Sequence, residues 1–262
     1  MNIMIIGTGH VLKKSVSEVK ETIERERPDI VALELDENRF HALLDRYYNK
    51  NKQESGSWVG GGSLPVFSNF IVGKILESIQ KEFGEKLGVF PGQEMIQAIE
   101  SVRVVGSRIV LIDRDLQITL NRLISTPLME KFNLLKLRKM NENVSNVEDL
   151  LNEGIIDALM GELKKTTPGM YNALVDERDK IMALSLYKIQ RENQNAKILA
   201  VVGAGHKSGI FKYLGFLERG NEFYIENYKK MKKIKSVNVL VFAFILLFAF
   251  IFLQFNFLIR KR

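Results

Sequence analysis

The sequence contains no cysteine. That removes disulfides, thiolate metal ligands and a cysteine nucleophile together, and it fits a reducing compartment without requiring one. Histidine is nearly as scarce, with three residues in 262, so imidazole chemistry can come only from His10, His41 or His206. Acidic residues are missing from the tail: from Asn227 onward there are eight Lys and Arg and no Asp or Glu. Subtracting those eight from the formal net charge of +7 leaves the first 226 residues at −1. The basic excess is therefore local to the tail, and the body carries no general affinity for nucleic acid. The N-terminus lacks a charged stretch followed by an apolar one, which excludes a signal peptide there.

The tail supplies what those absences leave room for. Residues 239–253 are fifteen consecutive apolar side chains, and the run extends over 237–259 with only Asn238, Gln254 and Asn256 interrupting. At about 1.5 Å per residue that stretch spans about 34 Å, enough for one membrane helix. A buried core helix of a globular domain would show a polar face, and this one has none. Five lysines between Lys229 and Lys235 outweigh the terminal Arg260-Lys261-Arg262, so the positive-inside bias places the body on the cytoplasmic side. The expected organisation is a domain over 1–226, a basic juxtamembrane segment over 227–236 and a single C-terminal transmembrane helix over 237–259.

Within the domain one short pattern occurs twice. Ile5-Ile6-Gly7-Thr8-Gly9-His10 near the start is matched by Val201-Val202-Gly203-Ala204-Gly205-His206 two hundred residues later. A β-branched run that stops at glycine reads as a buried strand ending in a tight turn. Further short apolar runs at 30–33 and 109–112 read as strands two and three, with 198–202 as the fourth. Helical spacing is evident over 15–27, with Ser15 and Glu18 suited to a capping box, and over 36–49. Pro91-Gly92 opens another helix with Glu94 in its first turn. Residues 56–63 read as a glycine-rich loop and 67–83 as an apolar helical segment. Between 116 and 193 no strand candidate occurs; three helices are expected, over about 116–140, 147–165 and 168–191. The fold class is therefore α/β: a mainly parallel sheet flanked by helices, with a helical insertion before the last strand.

Each strand is followed at once by polar groups: His10 after the first, Glu34 and Asp36 after the second, Asp113 and Asp115 after the third, His206 after the fourth. Parallel strands would bring these groups to one sheet edge, where open α/β sheets place their ligand sites. Two imidazoles with carboxylates beside them can bind a divalent metal. Such a metal acidifies a bound water, and a spare carboxylate can shuttle the proton. Asp113-Arg114-Asp115 has a plainer reading as a capped helix start, and His41 falls mid-helix among surface-like residues. Arg178 lies on the apolar stripe of the 168–191 helix, four residues from both Leu174 and Met182. A buried arginine is costly unless paired, so an acidic partner such as Glu34 or Asp113 is expected.

Gly7-Thr8-Gly9-His10, Leu33-Glu34-Leu35-Asp36 with Arg39, Pro91-Gly92-Gln93-Glu94-Met95, Leu111-Ile112-Asp113-Arg114-Asp115, Glu177-Arg178-Asp179 and Gly203-Ala204-Gly205-His206 together resemble the TraB/PrgY pheromone-shutdown family. That family is related to the TIKI membrane-anchored metalloproteases and to an α/β fold shared with erythromycin-esterase-like proteins. The resemblance runs in order from residue 1 to about 215. It implies a metal-dependent peptidase in which the paired histidines and a glutamate are essential, with manganese or cobalt favoured and zinc a third option. Carried over, His10 and His206 take the histidine positions. Glu34 takes the glutamate position and serves as a metal ligand, with Glu94 the alternative; Asp113 and Arg178 complete the catalytic set. The partners implied are the membrane and a peptide or protein substrate. Many family members carry several membrane spans after the domain, whereas one is expected here.

Two other functions fit parts of the chain. A membrane-tethered protein that binds a peptide without cutting it would use the same site. A nucleotide-binding module would explain Gly7-x-Gly9 and Glu34, but Leu12 stands where a third glycine belongs, and the second copy at Gly203 has no role in it.

Overall fold

The structure is a computed structural model that describes residues 1–8, 13–49, 92–127, 129–130, 133 and 153–220. Four strands form one sheet: β1 (Ile3–Thr8), β2 (Ile30–Leu33), β3 (Arg108–Leu111) and β4 (Ile198–Gly203). All pairings are parallel and the order is β1-β4-β2-β3. The last strand in sequence thus lies between the first two. The helices are α1 (Lys13–Glu26), α2 (Glu37–Asn49), α3 (Gln93–Val105), α4 (Leu116–Ile124), α5 (Glu153–Thr166), α6 (Pro168–Tyr171), α7 (Glu177–Glu192) and α8 (Ala204–Glu218), with a π-helical turn at Asn172–Asp176 joining α6 to α7.

Side-chain alternation along the strands builds two apolar layers. Ile5, Ile30, Ala32, Ile198, Ala200 and Val202 face one way, against Met182 and Leu186 of α7 and Ile210 and Leu214 of α8. Ile6, Val31, Leu33, Leu199 and Val201 face the other way, against Val19 and Ile23 of α1 and Met95, Ala98 and Ile99 of α3. Every residue of β2 and β4 is buried. Strands covered on both faces need near-continuous apolar sequence, and that is why these two read as unbroken runs rather than alternating ones. Each fully buried Ile, Leu or Val contributes about 1.5–3 kcal/mol, so the sheet edges that carry polar groups rest on a stiff base.

The α/β class, the parallel sheet, its flanking helices and the helical character of the described residues between β3 and β4 match the sequence reading. Three local expectations need correction. Helix α1 begins at Lys13, and Ser15 is buried within it rather than capping it. The helix expected over 116–140 stops at Ile124, where Ser125 and Thr126 turn their hydroxyls back onto the Asn121 and Leu123 carbonyls. Pro127 follows, and it disfavours helical geometry in the residue before it. The helix expected over 168–191 is present over 168–192 but is not uniform: it contains the π-turn, whose Glu177 amide bonds five residues back to the Asn172 carbonyl. His10, the loop at 56–63, the segment at 67–83, and the basic and apolar tail over 227–259 lie outside the described residues. Among the described residues no helix is long and apolar enough to cross a membrane.

Candidate functional site

The parallel register brings the two copies of the repeated pattern side by side. Gly7 pairs with Val202 and Thr8 with Gly203, so the strands leading to His10 and His206 are neighbours, offset by one residue. Thr8 Oγ1 donates to the Val202 carbonyl at 3.2 Å. A Cβ on Gly7 would lie 3.0 Å from the Ala204 backbone, so glycine is what lets β1 pass this close to the start of α8. His206 is in the first turn of that helix and is buried.

At the same edge β2 ends in Glu34 and β3 is followed by Asp113. Glu34 is pinned from two sides: its amide donates to the Val201 carbonyl at 3.2 Å, and its Oε2 accepts from the Gly203 amide at 2.5 Å. Its Oε1 is left facing the site. Asp36 caps α2, accepting from the Arg39 amide at 3.0 Å and from Arg39 Nε at 2.5 Å. Arg39 Nη2 continues to Asp113 Oδ2 at 2.6 Å.

Arg178 enters from α7 and joins these groups. Its side chain is 14% exposed. Nε and Nη2 fork onto Asp113 at 3.1 and 2.7 Å, both measured to Oδ2. Nη2 also donates to Glu34 Oε1. Nη1 donates to the Leu174 carbonyl at 3.1 Å and lies 2.9 Å from His206 Nε2. Arg178 therefore meets both acids proposed for it from sequence, and does not reach out to solvent. The π-turn has a part in this. Such turns widen the helix and cluster at functional sites, and two carbonyls of this one, Ala173 and Leu174, receive guanidinium donors from Arg114 and Arg178.

A guanidinium has no acceptor. The Arg178 contact therefore makes His206 Nε2 the unprotonated nitrogen, and the proton sits on Nδ1, which donates to Asp179 Oδ1 at 2.6 Å. Asp179 reaches this position because residue 209 is glycine: a Cβ there would lie 1.9 Å from Asp179 Oδ2. His206 Nε2 is 3.4 Å from Glu34 Oε1.

Four carboxyls, Glu34, Asp36, Asp113 and Asp179, share this edge with two guanidiniums, Arg39 and Arg178. Burial pushes the Asp113 carboxyl up, but the Arg178 and Arg39 charges outweigh it and hold it below the usual carboxylate range. Asp179 moves the other way: burial raises it, and the bond to His206 only partly offsets that. Burial lowers the Arg178 guanidinium, yet Glu34 and Asp113 overcome it and raise its affinity for its proton. The carboxyl edge thus carries more negative than positive charge and has one imidazole lone pair aimed into it.

The donor set can be tested against a divalent metal. A tetrahedral ion with bonds of about 2.0–2.1 Å places its ligand atoms about 3.3–3.4 Å apart, which matches the spacing of His206 Nε2 and Glu34 Oε1. Metal-binding histidines also give their other N–H to a carboxylate, as His206 does to Asp179. Two ligand positions therefore fit. Among the described residues no group of three or more ligating side chains is assembled.

Glu94, the alternative glutamate, is 1% exposed in the first turn of α3. Asp115 has the plainer role, capping α4 by accepting from the Gln117 amide at 2.7 Å, and His41 is exposed on α2. Sequence reasoning left Asp179 without a role, although it adjoins Arg178. Its signal was a second charge next to the one on the apolar stripe. It also missed the support behind the site, where buried Arg114 donates to Glu177 Oε2 at 2.7 Å and to Thr119 at 2.9 Å. The nucleotide-binding alternative places β1 beside β2 in the interior of the sheet. Here β4 stands between them and β1 is the outer strand of the described sheet, while Glu34 is committed to Arg178 and the Gly203 amide.

A sequence model described as the TraB/PrgY/gumN family matches residues 1–221. An uncharacterized protein of Methanocaldococcus jannaschii is 37% identical over 240 residues, which is 90% of this chain and 59% of the relative. TraB domain-containing proteins of Bos taurus and Homo sapiens are 24% and 23% identical, each over 80% of this chain and 62% of the relative. The chain thus spans about three fifths of the length of the curated relatives it matches.

Proposed function

The chain belongs to the TraB/PrgY/gumN family, and from its site we propose that it is a membrane-anchored, metal-dependent hydrolase that acts on peptides. The observation that carries the reading is the pair formed by His206 Nε2 and Glu34 Oε1, 3.4 Å apart with the imidazole proton held away on Asp179. His206 and Glu34 would hold the metal, with His10 the third ligand by its place in the repeated pattern. Bound there, manganese, cobalt or zinc would supply a water acidified to a nucleophile at neutral pH.

The chain's own residues prepare that site. Asp179 fixes the ring of His206 and its tautomer. The Gly203 amide holds Glu34 so that one oxygen faces inward. Asp113 stays ionised between two guanidiniums and anchors Arg178 at the spot where a substrate carbonyl would develop negative charge, an arrangement that stabilises such charge in a water-poor pocket. Glu94 remains the alternative for the glutamate position. The apolar run over 237–259 is read as the anchor, with the domain on the cytoplasmic side.

A second reading keeps the site but not the cleavage: a tethered protein that holds a peptide through Arg178 and Arg39. What favours it is that Arg178 already engages both ligand atoms. One experiment separates the two. Full-length protein is purified in detergent, its metal content is measured by elemental analysis, and cleavage of a peptide library is followed by mass spectrometry, for wild type, His10→Ala and His206→Ala. Metal and cleavage lost together in both variants support the hydrolase. Metal content unchanged in both variants would sink it, and peptide binding without cleavage supports the second reading.

A further inference from the structure

Helices α7 and α8 pack side by side on one face of the sheet. Among the described residues, polar contacts cross between them at two levels. One is the site itself, where Arg178 and Asp179 of α7 meet His206 of α8. The other lies about two turns further along α8. Tyr213 is 6% exposed, and its hydroxyl donates to Asp176 Oδ1 at 2.6 Å. Asp176 is the last residue of the π-turn, just before the start of α7 that carries Arg178. Seven residues separate His206 from Tyr213, so both side chains leave α8 on one face, about 10.5 Å apart along its axis.

The Tyr213 bond is of the stronger kind. Burial pushes the Asp176 carboxyl up, but the bonds from Lys180 and Tyr213 outweigh it and hold it below the usual carboxylate range. A hydroxyl that donates to a carboxylate at this distance is charge-assisted, about twice as strong as a neutral pair. Lys180 Nζ takes the other oxygen at 2.6 Å. It comes from the next turn of the same helix, and it meets α8 through the face of the Tyr213 ring. Around this crossing the two helices meet through apolar side chains, with Leu184 and Leu217 beside Tyr213. Apolar burial is non-directional; it keeps the helices together without fixing how the π-turn stands against α8.

We propose that Tyr213 is a positioning residue for the site: its hydroxyl ties the end of the π-turn to α8 and thereby sets Arg178 against His206. Arg178 Nη1 lies 2.9 Å from His206 Nε2 while Nη2 holds both Glu34 and Asp113. A shift of the backbone two residues earlier would carry the guanidinium off at least one of them. Arg114 meets the same turn through the Ala173 carbonyl, so the segment before Arg178 is held at two points. A phenylalanine would fill the space of Tyr213 equally well, which leaves the bond to Asp176 as the contribution of the hydroxyl. The consequence for a substrate rests on the hydrolase reading above, in which Arg178 stands where negative charge develops.

The test reads the His206 ring in full-length protein in detergent, by long-range ¹H–¹⁵N correlation at neutral pH. The variants are Tyr213→Phe, Asp176→Ala, the two combined, Lys180→Met and Leu184→Ala. An unprotonated imidazole nitrogen moves downfield when it loses a hydrogen-bond donor. Tyr213→Phe and Asp176→Ala should therefore each move the Nε2 signal downfield by a similar amount. The combined variant should move it no further, because both substitutions remove one interaction. Lys180→Met keeps the crossing and should leave the signal in place. Leu184→Ala opens a cavity in the same seam and should lower the urea midpoint more than Tyr213→Phe does, again with the signal in place.

An unmoved Nε2 signal in Tyr213→Phe overturns the proposal. A signal that follows the loss of stability across the set, Leu184→Ala included, overturns it too, because the hydroxyl would then be one structural contact among many. If Asp176→Ala fails to fold, Tyr213→Phe decides alone, since it keeps the ring in place. Peptide cleavage is a separate readout. There Tyr213→Phe should lower kcat more than it raises KM, as expected when the group it positions acts on the charge of the transition state. Wild type that cleaves no peptide, with the Nε2 shift as expected, removes the hydrolase reading and leaves Tyr213 as the residue that sets the pair.

Discussion

Arg178 Nη1 lies 2.9 Å from His206 Nε2, and because only one of these groups can accept a hydrogen bond, the contact sets the histidine's tautomer. The proton is left on Nδ1, facing Asp179. In free histidine the Nε2–H form is the commoner neutral tautomer, so the site reverses the ring's own preference from both sides at once.

That reversal is observable. In long-range ¹H–¹⁵N correlation spectra at neutral pH, His206 should show a protonated Nδ1 and an unprotonated Nε2. Asp179→Ala removes the acceptor on Nδ1 and should move the ring toward a mixture of tautomers. A ring with Nε2 protonated in the wild type would contradict the hydrogen-bond assignment and remove the lone pair on which the metal reading depends.

Gly209 offers a steric test of the same pair. Gly209→Ala would place a methyl 1.9 Å from Asp179 Oδ2. Either the carboxylate leaves His206 or α8 moves from α7, and overpacking of this kind typically costs about 1–3 kcal/mol. Gly161→Ala is the matched control, since a Cβ there meets nothing within 4 Å inside helix α5. It should be neutral or stabilise by up to about 1 kcal/mol through helix propensity. Denaturant midpoints of the two variants check the difference, and a change in the His206 spectrum should accompany Gly209→Ala alone.

The sheet and the helices that cover it were legible because their signals are local. A buried strand such as 198–203 announces itself as an apolar run, and α2 as a periodic one with Asp36 before it. Arg178 was legible for a related reason, as a charge on an apolar stripe that has to find a partner. The strand order was not legible. That β4 lies between β1 and β2 depends on packing of whole layers, and no short segment encodes it. The π-turn was hidden as well, because Asn172 to Asp176 has ordinary helical composition and the groups that meet it, Arg114 on the Ala173 carbonyl and Tyr213 on Asp176, lie far away in sequence. Asp179 escaped notice since its role needs Gly209, thirty residues away, to leave space for it.

The carboxyls of the site predict the acid limb of stability. Asp113, Asp176 and Glu177 have folded-state values below their usual range: burial opposes ionisation at each, but the hydrogen bonds and charges of Arg178 and Arg39, of Lys180 and Tyr213, and of Arg122 and Arg114 outweigh it. For such groups the unfolded chain binds more protons in the window between the two values. Their contribution is present above the unfolded values of about 3.9 for Asp and 4.3 for Glu, and it is lost as pH falls through the folded ones. Asp179, raised by burial, has the opposite sign; its contribution is present at low pH and lost as pH rises through its folded value. Three groups against one should give a urea midpoint that falls as pH drops below about 4. Asp179 changes stability only between about 3.9 and its raised folded value, so Asp179→Asn should flatten any rise of the midpoint on acidification above about pH 4 and leave the fall below it in place. A midpoint that rises on acidification below about pH 4 would show that the guanidinium pairs do not hold these carboxylates ionised.

Behind the site, Glu177 joins two arginines of unequal burial, and the inequality fixes what each is worth. Arg114 has 4% of its side chain exposed and spends its donors on Glu177, Thr119 and the Ala173 carbonyl. Arg122 has 39% exposed and reaches the same carboxylate from the solvent side, with Nε 3.0 Å from Oε1. Removing a half-exposed partner costs little, because water replaces it; Arg122→Ala should lower stability by no more than about 1 kcal/mol. Glu177→Ala strands Arg114 as a buried, uncompensated charge and should cost about 3–5 kcal/mol. Because Arg114 also holds the π-turn through Ala173, the loss should loosen Arg178 as well and shift the His206 ¹⁵N signals, whereas Arg122→Ala should leave them in place. Equal destabilisation by the two substitutions would mean that Arg114 finds water when Glu177 is gone, and that the turn beneath Arg178 is held by packing rather than by this pair.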